Sequence, residues 1–185
     1  MNYELNLENK LNFENSQLTA PDTIISELGK QVEKETKGFV KGVVKTYDGP
    51  IHSYDQQSSI AAIAAALATT QYQTIQQELG AVDCEMFRFE FFLTSPKLES
   101  YKYRILFFEF GIANYPVKIV LEQGIADEIF GTEHADYELE YTTKEELTNV
   151  ILNVLNSKKV IKVMQDLIYA AQRIPPAHQT SEDQT

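Results

Sequence analysis

Cysteine occurs once in the 185 residues, at Cys84, so no intrachain disulfide can form and no zinc ribbon or iron–sulfur cluster can be assembled from several thiolates. A reducing, cytoplasmic setting is the expected one. Long apolar runs are absent as well. No segment approaches the length needed to span a bilayer, and Met1 to Lys10 lacks the basic start and apolar stretch of a secretory signal. Cations are scarce: 16 Lys and Arg stand against 27 Asp and Glu, for a formal net charge of -11. A field of that sign repels nucleic-acid phosphates and anionic membrane surfaces, so neither is an expected partner. Lys30, Lys34 and Lys37 are interleaved with Glu27, Glu33 and Glu35, the pattern of a solvated helix face rather than a phosphate track. There is no Walker loop, no G-x-G-x-x-G after a strand and no G-x-S-x-G elbow, and Gly38, Gly42 and Gly49 have the wrong spacing for either phosphate loop.

What the sequence does contain is apolar and aromatic material, 43% and 11% of residues, enough for the core of a single domain. That domain is expected over residues 1–174, followed by a disordered polar tail at 175–185 that begins at Pro175-Pro176. Tyr3, Leu5 and Leu7 alternate with polar residues and predict a short strand or hairpin with Leu11 and Phe13. Pro21-Asp22 starts a helix in which Asp22 is the expected N-cap, Ile25, Leu28 and Val32 the apolar stripe, and Gly38 the stop. Phe39 to Tyr47 predicts a strand ended by Asp48-Gly49-Pro50, with a short return strand over Ile51 to Tyr54. Ser58 to Leu79 predicts an alanine-rich helix that Gly80 ends.

The strongest β pattern follows, an antiparallel meander from about Asp83 to Tyr141. Phe87, Phe89, Phe91 and Leu93 fall on one face of a strand and Met86, Arg88, Glu90 and Phe92 on the other. After Ser95-Pro96, Tyr101 to Phe110 predicts a strand apolar on both faces, hence central, with Ile105 and Phe107 opposite Leu106, Phe108 and Phe110. Gly111 and Asn114 supply a turn, Val117, Ile119 and Leu121 a third strand behind Pro116, and Tyr137, Leu139 and Tyr141 a fourth whose other face is Glu138 and Glu140. Thr143 and Glu146 have capping-box spacing, and two apolar stripes, Leu147 to Leu155 and Val160 to Ala171, predict two helices or one bent helix. The fold class is therefore α+β: an antiparallel meander of about four to six strands packed with three to four helices, two of them C-terminal. The apolar residues on both sides of Ile105 to Phe110 call for two covers, the C-terminal helices on one side and the Ser58 to Leu79 helix, or a partner, on the other.

Candidate functional residues compete with plainer roles. Between Lys118 and Lys144 there is no Lys or Arg, while Glu122, Asp127, Glu128, Glu133, Asp136, Glu138 and Glu140 accumulate. This segment reads as a solvated acidic loop and strand face, as a docking face for a basic partner, or, through Asp127, Glu128, Glu133, His134 and Asp136, as a hard-cation site, although the spacing of a calcium loop is absent. His52, His134 and His178 are scattered, and the His52, Ser53 and Asp55 cluster reads as a turn in which Ser and Asp bond the local backbone. Cys84 lies between Asp83 and Glu85, which raise rather than lower a thiol pKa, so it reads as structural. Glu85, Glu90 and Glu109 lie on neighbouring strands and offer a carboxylate pair, but Glu90 can equally pair with Arg88 or Lys102. The meander holds more aromatics than one face of a small sheet needs. Base stacking would require basic companions that the pattern does not place there, so a protein-docking face fits better.

The size, acidity and α+β layout resemble those of small secretion chaperones and toxin-immunity proteins. With the phosphate, metal and nucleophile motifs missing, elimination leaves a non-catalytic cytosolic protein, chaperone-, immunity- or adaptor-like, that binds another protein, basic in character, or a second copy of itself. No cofactor, metal or catalytic residue is expected. The binding residues expected are Asp127, Glu128, Glu133, Asp136, Glu138, Glu140, Phe92 and Phe108. The alternatives are an acidic mimic of nucleic acid that inhibits a nucleic-acid-binding protein, and a small-ligand binder or enzyme in which His52, Cys84 and Glu109 converge on a pocket.

Overall fold

The computed structural model describes residues 19–49, 51, 85–131 and 137–174. Its element order is α1 (Pro21–Glu35), β1 (Lys41–Thr46), β2 (Phe87–Ser95), β3 (Leu98–Phe110), β4 (Val117–Leu121), α2 (Gln123–Phe130), β5 (Glu138–Tyr141), α3 (Lys144–Leu155) and α4 (Lys158–Arg173). The five strands form one antiparallel sheet in sequence order, β1-β2-β3-β4-β5. This is the expected α+β meander, with four described helices, two of them C-terminal, and β3 at its centre. The strand or hairpin expected near Tyr3 to Phe13, the Ile51 to Tyr54 strand except for the buried Ile51, the Ser58 to Leu79 helix and the 175–185 tail lie outside the described residues.

Local chemistry accounts for most of these boundaries. In α1, Pro21 occupies the first helical position and Ala20 is the N-cap without a side-chain bond, so Asp22 sits inside the first turn instead of capping it. There its carboxylate complements the helix dipole. Lys37 (φ 53°) and Gly38 (φ 80°) turn the chain left-handed after Thr36, and the Gly38 N–H returns to the Glu33 carbonyl at 2.7 Å. The Thr36 hydroxyl accepts from the Val40 N–H at 3.1 Å and donates to the Val32 carbonyl at 2.8 Å, which ties the helix end to the approach of β1. The capping box on α3 is complete: the Glu146 N–H donates to Thr143 Oγ1, and the Thr143 N–H donates to Glu146 Oε2, both at 3.2 Å.

Two features depart from the expected pattern. Gln123–Phe130, within the stretch expected as acidic loop, is the helix α2: the side chain of its N-cap Glu122 accepts from the Ile125 N–H at 3.0 Å, and Ile125 and Ala126 are buried. With eight residues the helix is too short to show a periodic stripe, and its cap is a glutamate rather than one of the usual short cap residues. The second departure lies in β3. Phe91 registers with Leu106 but Phe92 with Arg104, so Ile105 is an extra residue, a β-bulge. Phe107 and Arg104 oppose Glu90 and Phe92 and therefore share a face although three positions apart. Ile105 thus joins Leu106 on the opposite side, where they are 0% and 1% exposed. The bulge removes one apolar residue from the face that seemed to need a second cover.

All four helices pack into one core. Ile25 and Leu28 of α1, Ile125 of α2, Leu147 and Ile151 of α3 and Val160 and Leu167 of α4 cluster with Phe91, Leu93, Phe108, Phe110, Ile119 and Leu121 of the sheet. Phe108 stacks against Phe89 (centroids 5.2 Å apart) and Phe110 (6.3 Å). Helix α1 lies on β1 at a glycine contact, where a Cβ on Gly29 would stand 2.5 Å from the Gly42 carbonyl oxygen. Among the described residues no helix is long and apolar enough to cross a membrane.

Candidate functional site

The register of the sheet gathers the remaining strand residues into rows on the face away from that core. One row crosses all five strands: Lys45, Glu90, Phe107, Val120 and Glu138. Beside it run Arg88, Glu109, Lys118 and Glu140, and on the other flank Val43, Phe92 and Arg104. Val43, Phe92, Phe107 and Val120 take no part in the helix-side core cluster. Tyr47, which continues β1 through a hydrogen bond from its N–H to the Arg88 carbonyl, lays its ring 4.6 Å from that of Phe107.

Charges on this face are paired across strands. Glu90, only 4% exposed, accepts from Lys102 Nζ and, at 2.7 Å, from Arg104 Nε. Arg88 Nε donates to Glu109 at 3.0 Å, and Lys118 pairs with Glu138 at 2.9 Å. Lys102 lies 4.2 Å from the centroid of Phe92, and the Arg104 guanidinium 6.0 Å from that of Phe107, so cations and rings alternate. Burial pushes the Glu90 carboxyl upward, but the hydrogen bonds and charges of Lys102 and Arg104 outweigh it and hold it below the usual carboxylate value. A folded-state pKa below the unfolded one means that the pairing stabilises the fold above the unfolded value, and that this is lost as pH falls through the folded value. Glu90→Gln is therefore expected to lower the urea midpoint by a constant amount down to about pH 5 and by progressively less toward pH 3. A deficit that stayed the same at pH 3 would show that charge is not what Glu90 contributes.

The acidic segment is largely spent on internal contacts. Glu128 accepts from the backbone N–H groups of Lys158 (2.6 Å) and Lys159 (3.0 Å), which cap α4 from outside and keep its carboxyl below the usual range. Glu122, beyond capping α2, pairs with Lys159 at 2.6 Å. Asp127 accepts from the Tyr137 hydroxyl at 3.3 Å. Glu138 and Glu140 lie on the open sheet face, where Phe92 is half-buried, whereas Phe108 is fully buried beneath the helices. Glu133, His134 and Asp136 fall outside the described residues, as do His52, Cys84 and His178. Sequence reasoning passed over Lys45, Arg104 and Tyr47. Each is unremarkable in its own strand and acquires neighbours only through strand pairing.

Of the carboxylates considered as a pair, Glu90 and Glu109 are each committed to cations of their own, and Glu85 is exposed ahead of β2. Burial first and then the Glu122 charge push the Tyr103 hydroxyl up to about 12, so it stays protonated at neutral pH. An open groove of about 400 Å³ between α1 and the end of β1 is lined by charges of both signs, among them Asp22, Glu27, Lys30 and Lys45. Among the described residues no group of three His, Cys, Asp or Glu side chains is placed to hold a metal. No protein-family model matches the chain, and comparison with curated proteins and with solved structures finds no match.

Proposed function

We propose that this chain is a non-catalytic protein-binding domain and that the open face of its sheet is the docking surface. The observation that carries the reading is the one-sided layering of the described residues. Buried apolar residues of all four described helices join one core, while the other face keeps Tyr47, Phe92 and Phe107 half-buried among long charged side chains. A solvated sheet face needs only polar residues, whereas interface centres are enriched in aromatics and arginine and ringed by charge. The reading as an acidic nucleic-acid mimic draws less support, because Glu122, Asp127, Glu128 and Glu138 already serve helix ends and internal partners.

The test is affinity capture from the native cell with the wild-type chain and with a Phe92→Ala/Phe107→Ala variant whose thermal unfolding is checked in parallel. Proteins retained by the wild type at moderate and high salt are expected to be lost with the variant. Identical sets on both baits would move the docking surface elsewhere, and nothing retained at low or moderate salt would remove the binding reading. Retention confined to low salt and to basic proteins would restore the mimic.

A further inference from the structure

We infer that the segment this face receives is acidic: a stretch of a partner protein that interleaves Asp or Glu with aromatic or aliphatic residues. The inference rests on the reading of the open face as a docking surface and adds the chemistry of its occupant. It inverts what the overall charge suggests. In a chain of net charge -11, the part of the face built by β1, β2 and β3 places four cations, Lys45, Arg88, Lys102 and Arg104, around two anions, Glu90 and Glu109. Two positive charges remain uncompensated within that part, while Lys118, Glu138 and Glu140 on β4 and β5 bring the whole face to an excess of one.

The geometry is suited to carboxylates. Arg88 and Arg104 each reach their strand-bound glutamate through Nε, so the glutamate fixes the guanidinium while its Nη edge, which bonds no acceptor among the described residues, is left for a second one. Their side chains are 41% and 54% exposed. A guanidinium held in one orientation loses less entropy on meeting a carboxylate fork than a free one does. Lys45, exposed beside Glu90 in the register, makes no ion pair among the described residues. Phe92 and Phe107 lie between these cations and supply apolar contact for the residues that alternate with the carboxylates. An excess of two charges matches two or three carboxylates of a short segment. A polyphosphate strand would run past the patch onto a surface whose net charge repels it.

The probe is a fluorescein-labelled random copolymer of glutamate and tyrosine, titrated with the full chain and followed by fluorescence anisotropy, with polyglutamate and poly(U) as comparators. The copolymer is expected to bind in low salt, more tightly than polyglutamate, while poly(U) does not bind. Affinity is expected to fall about tenfold in an Arg88→Gln/Arg104→Gln variant and severalfold in Lys45→Gln, a change that breaks no ion pair of the described residues and so separates binding from folding. Failure of the wild type to bind, unchanged binding by both variants, or tighter binding of poly(U) would each overturn the inference. Carbodiimide coupling without the probe tests two other occupants. Cross-links from Lys45 or Lys102 to Asp55, Glu78 or Asp83 of the same chain, or to a second copy, would overturn it in their favour. If capture depends on Phe92 and Phe107 while these charge variants change nothing, the docking surface stands and only the acidic occupant is lost.

Discussion

Phe108→Ala is expected to destabilise the fold by about 4 kcal/mol, which for a chain of this size lowers the melting temperature by about 8–16 °C. The ring is completely buried on the middle strand, stacked with Phe89 and Phe110 under the helices, so truncation removes its transfer energy and leaves a cavity that these two neighbouring rings cannot collapse to fill. Phe92→Ala is the matched control. The two phenylalanines belong to neighbouring strands of the same sheet, yet Phe92 lies on the open face, half-buried under Lys102, and its loss is expected to cost about 1 kcal/mol. Urea unfolding of both variants measures the contrast directly. Equal losses would mean that the open face is covered as fully as the core, and the docking surface would have to be sought elsewhere.

Gly29→Ala should also lower stability, although alanine is the better helix former. Its Cβ would meet the Gly42 carbonyl oxygen at 2.5 Å and the Gly42 carbonyl carbon at 3.0 Å, backbone atoms that no rotamer change can move aside. The reverse substitution meets the same obstacle, since a Cβ on Gly42 would lie 2.7 Å from Gly29 Cα and 3.1 Å from the Phe91 ring. Overpacking of about 3 kcal/mol, offset by about 1 kcal/mol of helix propensity, leaves a net loss of about 2 kcal/mol. Thermal unfolding, with a drop of about 4–8 °C, is the readout. A variant as stable as the wild type would mean that α1 can rise from β1 without cost. Because Phe91 touches this contact from the neighbouring strand, Gly29→Ala and Phe91 truncation should not be additive.

Much of the architecture is legible without coordinates because it depends on neighbours a few residues apart. Alternation in Phe87 to Leu93, the capping box of Thr143 and Glu146, the turn at Gly111 and Asn114, and the stripes of α3 and α4 are local patterns, and the structure carries each of them. Local patterns fail where the period breaks. One extra residue at Ile105 reverses its side and halves the apolar surplus expected on the outer face. The eight residues of α2 are too few to display a period, and its glutamate cap looks like part of an acidic loop until the Ile125 N–H is seen to donate to it.

The candidate site was the least legible part. Phe92, Glu138 and Glu140 were recognisable as residues of an outer strand face, but the acidic run drew notice for its composition, whereas its carboxylates at 122, 127 and 128 serve a helix cap, a tyrosine hydroxyl and the open N–H groups of α4. Composition and periodicity by themselves determined an acidic α+β meander with two C-terminal helices, since burial of alternating and helical stripes leaves few other arrangements. Only the tertiary structure decided where charge collects. Lys45, Arg88, Lys102 and Arg104 come from three strands, and strand order and register, with a bulge to adjust them, bring them around Glu90 and Glu109 on one face of a chain whose net charge is -11. Electrostatic neighbours are set by distance in space, and the sequence records distance only along the chain.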